Sequence, residues 1–433
     1  MALLDIGRYT ETLRDIDPMR VNGKVIQIIG LTVESEGPDA SIGDVCTIHP
    51  MKGGKPVLAE VVGFRNNRVL LMPLGELHSV GPGCDVVATG NPLTVQVGSE
   101  LLGKVLDGLG RPLDGTRLSV RMPHYSTNNT PGNPLSRPRV TTPLGVGVRT
   151  IDGLLTVGQG QRIGIFAGSG VGKSTLLGMI ARNTSADVNV IALIGERGRE
   201  VLEFVEKDLG PEGLARSVVI VATSDQPALI RMKGALIATT IAEYFRDRGM
   251  NVMLMMDSVT RYAMALREVG LAIGEPPATR GYTPSVFAAL PKLLERAGTG
   301  PAGSITAFYT VLVDGDDMNE PIADAVRGIL DGHIVLHRSL ANKGHFPAID
   351  VLSSVSRVMK DIVSEEQLKK LLAVYRDSED LINIGAYQRG SNAEIDKAIQ
   401  YYDLIRTYTQ QRTNEKVTLQ EAQERLIIDF YRR

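Results

Sequence analysis

A glycine-rich octapeptide between a strand pattern and a helix pattern restricts the possible folds of this chain more than any other feature. It consists of Ala167, Gly168, Ser169, Gly170, Val171, Gly172, Lys173 and Ser174. The apolar segment Gln161–Ala167 leads into it, and a helical pattern follows from Thr175. Glycines let consecutive backbone N–H groups turn inward around phosphate oxygens, and the new helix directs its positive end at the same charge. The sequence therefore predicts a strand–loop–helix unit that binds phosphate.

The polar residues of this loop suit a nucleotide rather than a simple anion. Lys173 is long enough to reach β- and γ-phosphates, and the Ser174 hydroxyl is a ligand for Mg²⁺. The usual pattern opens with glycine, whereas this chain has Ala167, which requires a negative φ there. The alternative is a glycine-rich turn without a ligand. The Gly-Lys-Ser sequence between a strand and a helix favours the phosphate site over that turn.

Acidic residues follow two other apolar strands. Asp257 comes directly after Val252–Met256, at the edge of a sheet from which an aspartate holds Mg²⁺. Its alternative role is an N-cap of the predicted helix Ser258–Leu271. Glu196 follows another strand, where a carboxylate can orient and polarise a water that attacks phosphorus. A surface turn with alternating charges explains Glu196 about equally well from spacing alone.

One arginine near the end of the sheet region is a candidate for action on a neighbouring molecule. Arg357 lies in the segment Val355–Met359, and an arginine supplied to a neighbour's phosphate stabilises transition-state charge. On the sequence alone, an ordinary ion pair at a helix start is the more common role for such a residue.

Three regions differ in their hydrophobic pattern. Short strands broken by turns fill the first ~90 residues and indicate a small barrel or sandwich. From Asn91 to Gly145 prolines are frequent, which favours a surface connection. Nearly continuous apolar strands then alternate with helical segments such as Ala228–Arg248, a pattern typical of a parallel sheet covered by helices. The predicted strands of this sheet are Gln161–Ala167, Val188–Ile194, Ser217–Val221 and Asn251–Met256.

The last ~70 residues have a helical pattern with two predicted starts. Ser364–Gln367 and Thr418–Glu421 each have the spacing of a capping box. We place domain boundaries so that residues 1–93 form the first domain, 94–360 the second and 361–433 a small helical domain.

Composition excludes several classes of protein. The 433 residues include 47 basic and 49 acidic side chains, and a net charge of -2 provides no general attraction for nucleic acid. Cys46 and Cys84 are the only cysteines, so neither a disulfide framework nor a CxxC site is available, as is usual in a reducing cytosol. Met1–Asp15 lacks the pattern of a secretory signal, and no apolar run is long enough to span a bilayer. These features predict a soluble intracellular protein.

Long segments of the chain resemble the catalytic subunits of the rotary-ATPase superfamily, and they are most similar to the flagellar and type III protein-export ATPases. The segments are Leu101–Gly115 (LLGKVLDGLGRPLDG), Phe166–Arg182 (FAGSGVGKSTLLGMIAR), Leu193–Phe204 (LIGERGREVLEF), Met255–Gly298, Gly303–Leu336 and His345–Met359. The resemblance covers about residues 20 to 433. Alanine at the first loop position is what the export ATPases show, so Ala167 supports this branch.

The resemblance implies an α/β fold with three parts. These are a six-stranded N-terminal β-barrel, a RecA-like P-loop core with a mainly parallel sheet, and a C-terminal helical domain, assembled as a ring of six. It also implies that Lys173 binds phosphate, that Ser174 and Asp257 serve Mg²⁺, that Glu196 is the catalytic carboxylate and that Arg357 is the finger. ATP and Mg²⁺ are the expected substrate and cofactor.

Two further roles follow from the resemblance. Phe346 matches the aromatic residue that packs on adenine, so residues 167–175 and Phe346 form the expected nucleotide contacts. Tyrosine is more usual at that position, which leaves stacking but removes a hydroxyl contact; taken alone, Phe346 would more often be a core residue. Arg197 lies beside the catalytic carboxylate and is expected to orient it or to pair with a neighbouring subunit.

The presence of both Glu196 and Arg357 in one chain favours a homomeric ring. In the proton-driven rotary enzymes these two residues are divided between different subunits, whereas a chain that has both can make every interface of a homohexamer catalytic. The acidic run found in the C-terminal domain of the proton-driven catalytic subunit is also missing here.

Several partners are implied by the resemblance. The loop Gly274–Pro284 and the pair Asp316-Asp317 match segments that face the ring channel, where a coiled-coil central-stalk protein is expected; plain surface turns are the alternative. The first ~20 residues are where relatives bind a stator-like regulator. A membrane export gate, exported substrates and their chaperones complete the expected partners, at the cytoplasmic face of the inner membrane.

Two other functions compete with protein export. The chain could be a catalytic subunit of an ion-translocating rotary ATPase, which would require a distinct partner subunit. A non-catalytic nucleotide-binding or nucleic-acid-binding ring component is the third possibility. Intact Lys173 and Glu196 oppose a catalytically dead subunit, and the net charge of -2 opposes movement along RNA.

Overall fold

The computed structural model describes residues 22–51, 53–313, 317–359, 373–377, 387–388 and 390–430. The chain divides into two compact units. The first comprises the residues up to Leu93 together with Ala272–Glu275, and the second comprises Thr94–Leu271 and Pro276–Arg433. The division into three domains at residues 93 and 360 remains a prediction.

The first unit is a closed antiparallel barrel of six strands in the order β1-β2-β5-β4-β3-β6. Its strands are Gly23–Ile29 (β1), Thr32–Glu36 (β2), Asp44–His49 (β3), Val57–Arg65 (β4), Arg68–Pro73 (β5) and Asp85–Pro92 (β6). Alternate side chains point into the barrel, and Val33, Ile48, Val61 and Leu71 are fully buried there. Of the two architectures that the short strands allow, the structure has the barrel, because closure leaves no unpaired strand edge.

The second unit contains a large sheet in the order β19-β18-β12-β17-β15-β13-β14-β8. Its strands are Val105–Asp107 (β8), Arg162–Ala167 (β12), Val188–Ile194 (β13), Ser217–Ala222 (β14), Asn251–Asp257 (β15), Ser304–Leu312 (β17), Gly332–Leu336 (β18) and Ile349–Ser356 (β19). All neighbours in this order pair in parallel except β18 and β19, which are antiparallel. The nearly continuous apolar runs indicated such a sheet because both of its faces are covered.

Short strands lie in the region where the prolines predicted only a connection. β8 pairs with β14 and extends the main sheet, while Thr94–Gln96 (β7) pairs with His124–Ser126 (β9). Two-residue strands Pro143–Leu144 (β10) and Val157–Gly158 (β11) form a separate pair, and Gly298–Thr299 (β16) pairs with β17. Strands of two or three residues are too short to produce a period in the sequence, so no pattern predicts them.

Helices cover the sheet. Along the chain they lie between its strands or after its last strand, β19. They are Arg149–Leu154 (α1), Lys173–Asn183 (α2), Gly198–Glu203 (α3), Gly210–Ala215 (α4), Ala228–Arg246 (α5), Val259–Ile273 (α6), Pro284–Leu294 (α7), Pro321–Ile329 (α8), Arg338–Asn342 (α9), Ala393–Thr409 (α10) and Leu419–Phe430 (α11). A π-helical stretch joins α3 to α4, and in the described ranges 3₁₀ turns occupy three connections. Among the described residues no helix is long and apolar enough to cross a membrane.

The C-terminal helices are fixed to α1 by buried polar contacts. Arg149 donates to the carbonyl oxygens of Tyr408 and Gln410 at 3.2 and 3.1 Å, and it also pairs with Glu415. Gln411 accepts the Arg149 backbone N–H at 2.7 Å. Because buried polar groups must be hydrogen-bonded, these contacts hold the connection between α10 and α11 in one place.

The described residues include one of the two predicted helix starts. Thr418 and Glu421 form the reciprocal hydrogen bonds of a capping box, with the Glu421 side chain accepting from the Thr418 backbone at 2.7 Å and the Thr418 hydroxyl accepting from the Glu421 backbone at 3.2 Å. The box at Ser364–Gln367 lies outside the described residues.

Candidate nucleotide site

The glycine-rich loop joins the carboxyl end of β12 to α2. Ala167 is the last residue of β12 and pairs with β17 and β18, so its backbone is extended and alanine fits this position. Gly170 and Gly172 have φ values of 77° and 93°, which other residues rarely adopt. Gly172 is the N-cap of α2 and offers no side-chain hydrogen bond to the first N–H groups of the helix. Those groups are therefore suited to an anionic ligand.

Lys173 lies between two carboxylates that come from different strands. Its ammonium is 2.5 Å from Asp257 Oδ1 and 3.3 Å from Glu196 Oε1. Burial alone would lower the pKa of Lys173, but the two carboxylates raise it above its usual value. The structure thus brings together the three residues that the sequence placed beside the loop. A nucleotide phosphate would compete with these carboxylates for the lysine.

Glu196 occupies an environment that opposes its negative charge. Burial and the charge of Asp257 raise the pKa of Glu196 to about 7, although Lys173 opposes the shift. The Glu196 side chain also hydrogen-bonds to Glu200, which in turn accepts from Arg197 at 2.8 Å. A carboxyl group with a pKa near neutrality can accept and return a proton, which suits a general base.

Asp257 does not cap the helix that follows it. Its carboxylate accepts from Lys173 and from the Thr310 hydroxyl, whereas the backbone N–H of Arg261 donates to Ser258 Oγ at 3.2 Å. The N-cap role considered for Asp257 therefore falls to Ser258. Asp257 ends β15 at the same sheet edge as the glycine-rich loop, since the carboxyl ends of parallel strands meet there.

The oxygen atoms available at this edge fit a magnesium ion. Ser174, in the first turn of α2, is exposed, and its hydroxyl is a hard oxygen ligand like the Asp257 carboxylate. Within the described ranges, Asp257 Oδ2 accepts no hydrogen bond, which leaves one carboxylate oxygen for a cation or its water.

Among the described residues, two of the sequence candidates form no ion pair with Glu196 or Asp257. Arg197 is exposed and pairs with Glu200. Arg357 is exposed and follows β19 at Ser356, which pairs with Gly332 at the start of β18. The glycine-rich loop lies at the other end of β18, four residues and about 13 Å away at the usual rise per residue. Arg357 therefore does not reach the phosphate loop of its own chain.

Phe346 lies against the glycine-rich loop, as a residue that stacks on a base would. Its ring is half exposed, and a Cβ atom added to Gly172 would be 3.6 Å from it. Both residues line an open groove of about 1050 Å³. The other lining residues are Arg149, Thr175, Leu176, Met179, Gly344, Pro347, Thr407, Gln410, Gln411, Arg412, Thr413, Asn414, Glu415 and Arg425.

The sequence did not indicate the part of the groove that comes from the C-terminal region. The segment Gln410–Glu415 has no motif and lies more than 200 residues from the glycine-rich loop in the chain. Two sets of hydrogen bonds hold this segment at the groove. Arg149 bonds to the Gln411 side chain and to the Tyr408 carbonyl just before the segment, and the Gln411 backbone N–H donates to the Phe346 carbonyl at 3.0 Å. No local signal could have revealed this contact.

Three family models match the chain in succession. Residues 25–90 match the beta-barrel domain of the ATP synthase alpha/beta family, and residues 147–356 match its nucleotide-binding domain. Residues 362–427 match the C-terminal domain of the type III secretion ATPase EscN. The fold predicted for the chain is confirmed by these matches.

Two curated relatives are more than half identical to this chain over at least nine-tenths of its length. A flagellum-specific ATP synthase from Bacillus subtilis is 62% identical over 413 residues, which cover 94% of both chains. A type 3 secretion system ATPase from Xanthomonas euvesicatoria is 52% identical and covers 91% of this chain and 90% of its own.

Solved structures agree with the sequence comparison. The assembled ATPase EscN from the type III secretion system of enteropathogenic E. coli is 50% identical and superposes with a TM-score of 0.88, covering 94% of this chain and 99% of EscN. EscN in complex with its central stalk EscO gives a TM-score of 0.86. The chain belongs to the ATP synthase alpha/beta family, and within it to the group of flagellum-specific and type III secretion ATPases.

Proposed function

We propose that this chain hydrolyses ATP with Mg²⁺ and that the hydrolysis energises protein export through a flagellar, type III apparatus. The convergence of Lys173, Glu196 and Asp257 on the glycine-rich loop is the observation that carries this proposal. The names of the relatives support the export role, since they are flagellum-specific and type III secretion ATPases. The geometry of the site supports the chemistry.

In this proposal the phosphates of ATP take over the lysine. The backbone N–H groups of the loop and the Lys173 ammonium bind the β- and γ-phosphates, so Lys173 leaves Asp257 and Glu196. Glu196 then orients the attacking water and accepts its proton. Ser174 and Asp257 would hold Mg²⁺, which neutralises phosphate charge when it is bound. Phe346 stacks on the adenine.

The arginine that completes the site comes from a second copy of the chain. Arg357 and the glycine-rich loop of its own chain lie at opposite ends of β18, and this separation supports a role of Arg357 at the site of a neighbour. The assembled form of EscN supports a ring built from one kind of chain, which we propose is a homohexamer. Each interface would then contain Glu196 of one copy and Arg357 of the next.

Other partners follow from the position of surface segments. We assign the loop Gly274–Pro284 and Asp317 to contact with a coiled-coil central stalk; Arg280 in this loop pairs with Asp317 at 3.4 Å. EscN in complex with its central stalk EscO supports this assignment. Asp316, which we assign to the stalk contact together with Asp317, lies outside the described residues. The first ~20 residues, which we assign to a stator-like regulator, lie outside them as well. We expect the ring to work in the cytoplasm at the inner face of the membrane, on exported substrates and chaperones beside the export gate, without nucleic acid.

The ion-translocating alternative is not favoured. A catalytic subunit of that kind depends on a distinct partner subunit for its arginine, whereas this chain has both Glu196 and Arg357. The curated relatives described above are a flagellum-specific ATP synthase and a type 3 secretion system ATPase, which supports the export role over ion translocation. A non-catalytic ring component has no support, because the lysine and both carboxylates are present and in contact.

Replacement of two site residues tests the hydrolysis directly. Glu196→Gln should lower the rate of ATP hydrolysis ~10²-fold or more while nucleotide binding is retained, because the base is lost and the shape is kept. Lys173→Ala should weaken nucleotide binding itself. The matched control is Lys207→Ala. It removes an exposed lysine that pairs with Glu203, four residues earlier in the chain, and an exposed pair of this kind contributes little to stability. Wild-type turnover by Glu196→Gln would overturn the assignment of the base.

A further inference from the structure

A buried threonine hydroxyl contacts the carboxylate that is assigned to Mg²⁺. Thr310 is fully buried on β17, and its Oγ1 donates to Asp257 Oδ1 at 2.7 Å. The same hydroxyl is 3.3 Å from the Met256 carbonyl oxygen. A hydroxyl has one proton to donate, and the shorter contact to a charged acceptor is the stronger one.

The sheet register explains why these two residues meet. β17 lies between β12, which ends in the glycine-rich loop, and β15, which ends in Asp257. Tyr309 pairs with Met256, so Thr310 and Asp257 are the next pair along the two parallel strands and extend from the same face. Threonine at this strand position thus supplies a hydroxyl directly beside the carboxylate.

Among the described residues Asp257 accepts from two donors, and in the proposed reaction only one of them remains when a nucleotide binds. Lys173 and Thr310 both contact Oδ1. In the proposed reaction Lys173 moves to the phosphates and leaves the carboxylate. Of the two contacts, only that of Thr310 is independent of the phosphates, because Thr310 lies within a strand of the sheet.

We propose that Thr310 is a positioning residue that holds Asp257 through Oδ1, so that Oδ2 is available for Mg²⁺ or its bound water. This inference rests on the proposed function, since it assumes that the site takes Mg²⁺ together with a nucleotide. It goes beyond that function by naming a residue outside the phosphate loop and the two acidic segments. Partners that orient a metal-binding carboxylate typically change metal affinity by ~10–100-fold when they are removed.

The test compares nucleotide affinity with and without Mg²⁺ in three variants of the full chain. Thr310→Val removes the hydroxyl and keeps the shape, while Thr310→Ser keeps the hydroxyl. Thr239→Val is the matched control, because Thr239 is fully buried on α5 and, within the described part of the chain, its hydroxyl donates only to the Ala235 carbonyl, at 2.9 Å. Binding of a fluorescent ATP analogue is measured by titration, once with excess Mg²⁺ and once with EDTA.

We expect Thr310→Val to lose ~10-fold or more of the Mg²⁺-dependent gain in affinity, with unchanged affinity in EDTA. Thr310→Ser and Thr239→Val should behave like the wild type. An unchanged gain in Thr310→Val, or an equal loss with Mg²⁺ and with EDTA, would overturn the inference, since the hydroxyl would then serve packing alone. If the wild type binds no nucleotide, or gains no affinity from Mg²⁺, the proposed function itself fails. Failure of the proposed function is thereby distinguished from failure of the Thr310 inference alone.

Discussion

At the glycine-rich loop, residues of opposite charge lie close together in a small buried volume, and their charges affect one another's protonation. Lys173 pairs with Asp257 and Glu196, yet one lysine cannot fully neutralise two carboxylates. The carboxylate with the less favourable environment is Glu196, whose pKa is raised to about 7 by burial and by Asp257. With a pKa of about 7, Glu196 gains or loses its proton near neutral pH, which gives the proposed reaction a base whose protonation depends on pH.

The pKa of Glu196 predicts how hydrolysis depends on pH. A raised pKa means that Glu196 is protonated below about pH 7, and the protonated form cannot accept a proton from water. The ratio kcat/KM for ATP should therefore fall as the pH decreases through 7, by about tenfold per unit below the pKa. Steady-state hydrolysis measured from pH 5.5 to 9 checks this.

The residual activity of Glu196→Gln is the control for the pH profile. A glutamine has no proton to gain in this range, so the acidic decline should disappear from its profile. A wild-type kcat/KM that stays constant down to pH 5.5 would contradict the assignment of Glu196 as the base.

The sequence was sufficient for some residues of the site and not for others. Lys173 and Asp257 lie in patterns whose geometry is local, a loop before a helix and a strand end. Glu196 was ambiguous, because the same spacing also describes a surface turn, and only the distance to Lys173 separates the two. Thr310 has no motif at all; its role depends on strand register, which a single sequence does not specify.

Among the helices and strands, α1 has a central structural position although it spans only Arg149–Leu154. It is fully buried, and Arg149 holds the segment that completes the nucleotide groove. Gly153 in this helix lies against Tyr408 of α10, whose hydroxyl donates to the Ala422 carbonyl at 2.8 Å. Close approach of α1 to the C-terminal helices therefore depends on a residue without a side chain.

Gly153→Ala should destabilise this packing. A Cβ at position 153 would lie 2.0 Å from Tyr408 Oη, so the tyrosine must move and lose its hydrogen bond. The expected loss in the free energy of unfolding is about 1–3 kcal/mol, the usual range for overpacking. Thermal or denaturant unfolding followed by circular dichroism measures it.

Gly328→Ala is the matched control for this change. Gly328 is also within a helix, α8, and an added Cβ there has no neighbouring atom within 4 Å. Alanine is the better helix former, so this variant should be as stable as the wild type or slightly more stable. Equal stability of the two variants would show that α1 and α10 do not pack as described.

The elements themselves were largely predictable from hydrophobic pattern. β13 has the bounds expected from the sequence, and α5 ends at Arg246, two residues before the predicted end. Continuous apolar strands are recognisable because both faces of the sheet are buried. By contrast, β8 and the π-helical stretch Phe204–Leu209 were not predicted, since their conformation depends on neighbours that are distant in the chain.

For the assembled chain, the position of Arg357 is the decisive observation. The glycine-rich loop and Arg357 lie at opposite ends of β18, so one molecule holds all the proposed residues without bringing them into one site. The account therefore requires that the site be completed between two copies. The sequence offered Arg357 as a candidate for action on a neighbour, but only the resemblance favoured this over an ordinary ion pair, because the register of β18 and β19 is not visible in the sequence.

Hydrolysis after mixing Glu196→Gln with Arg357→Ala is the most direct test of composite sites. Each variant alone should lose ~10²-fold or more of the activity, since a base or a finger is missing from every site. After random co-assembly, half of the sites have Glu196 and half of their neighbours have Arg357, so about a quarter of the wild-type rate should return. Co-assembly is verified by light scattering and by capture of one tagged variant with the other. Recovery of this size is the result that the account predicts, whereas no recovery in verified mixed assemblies would contradict it.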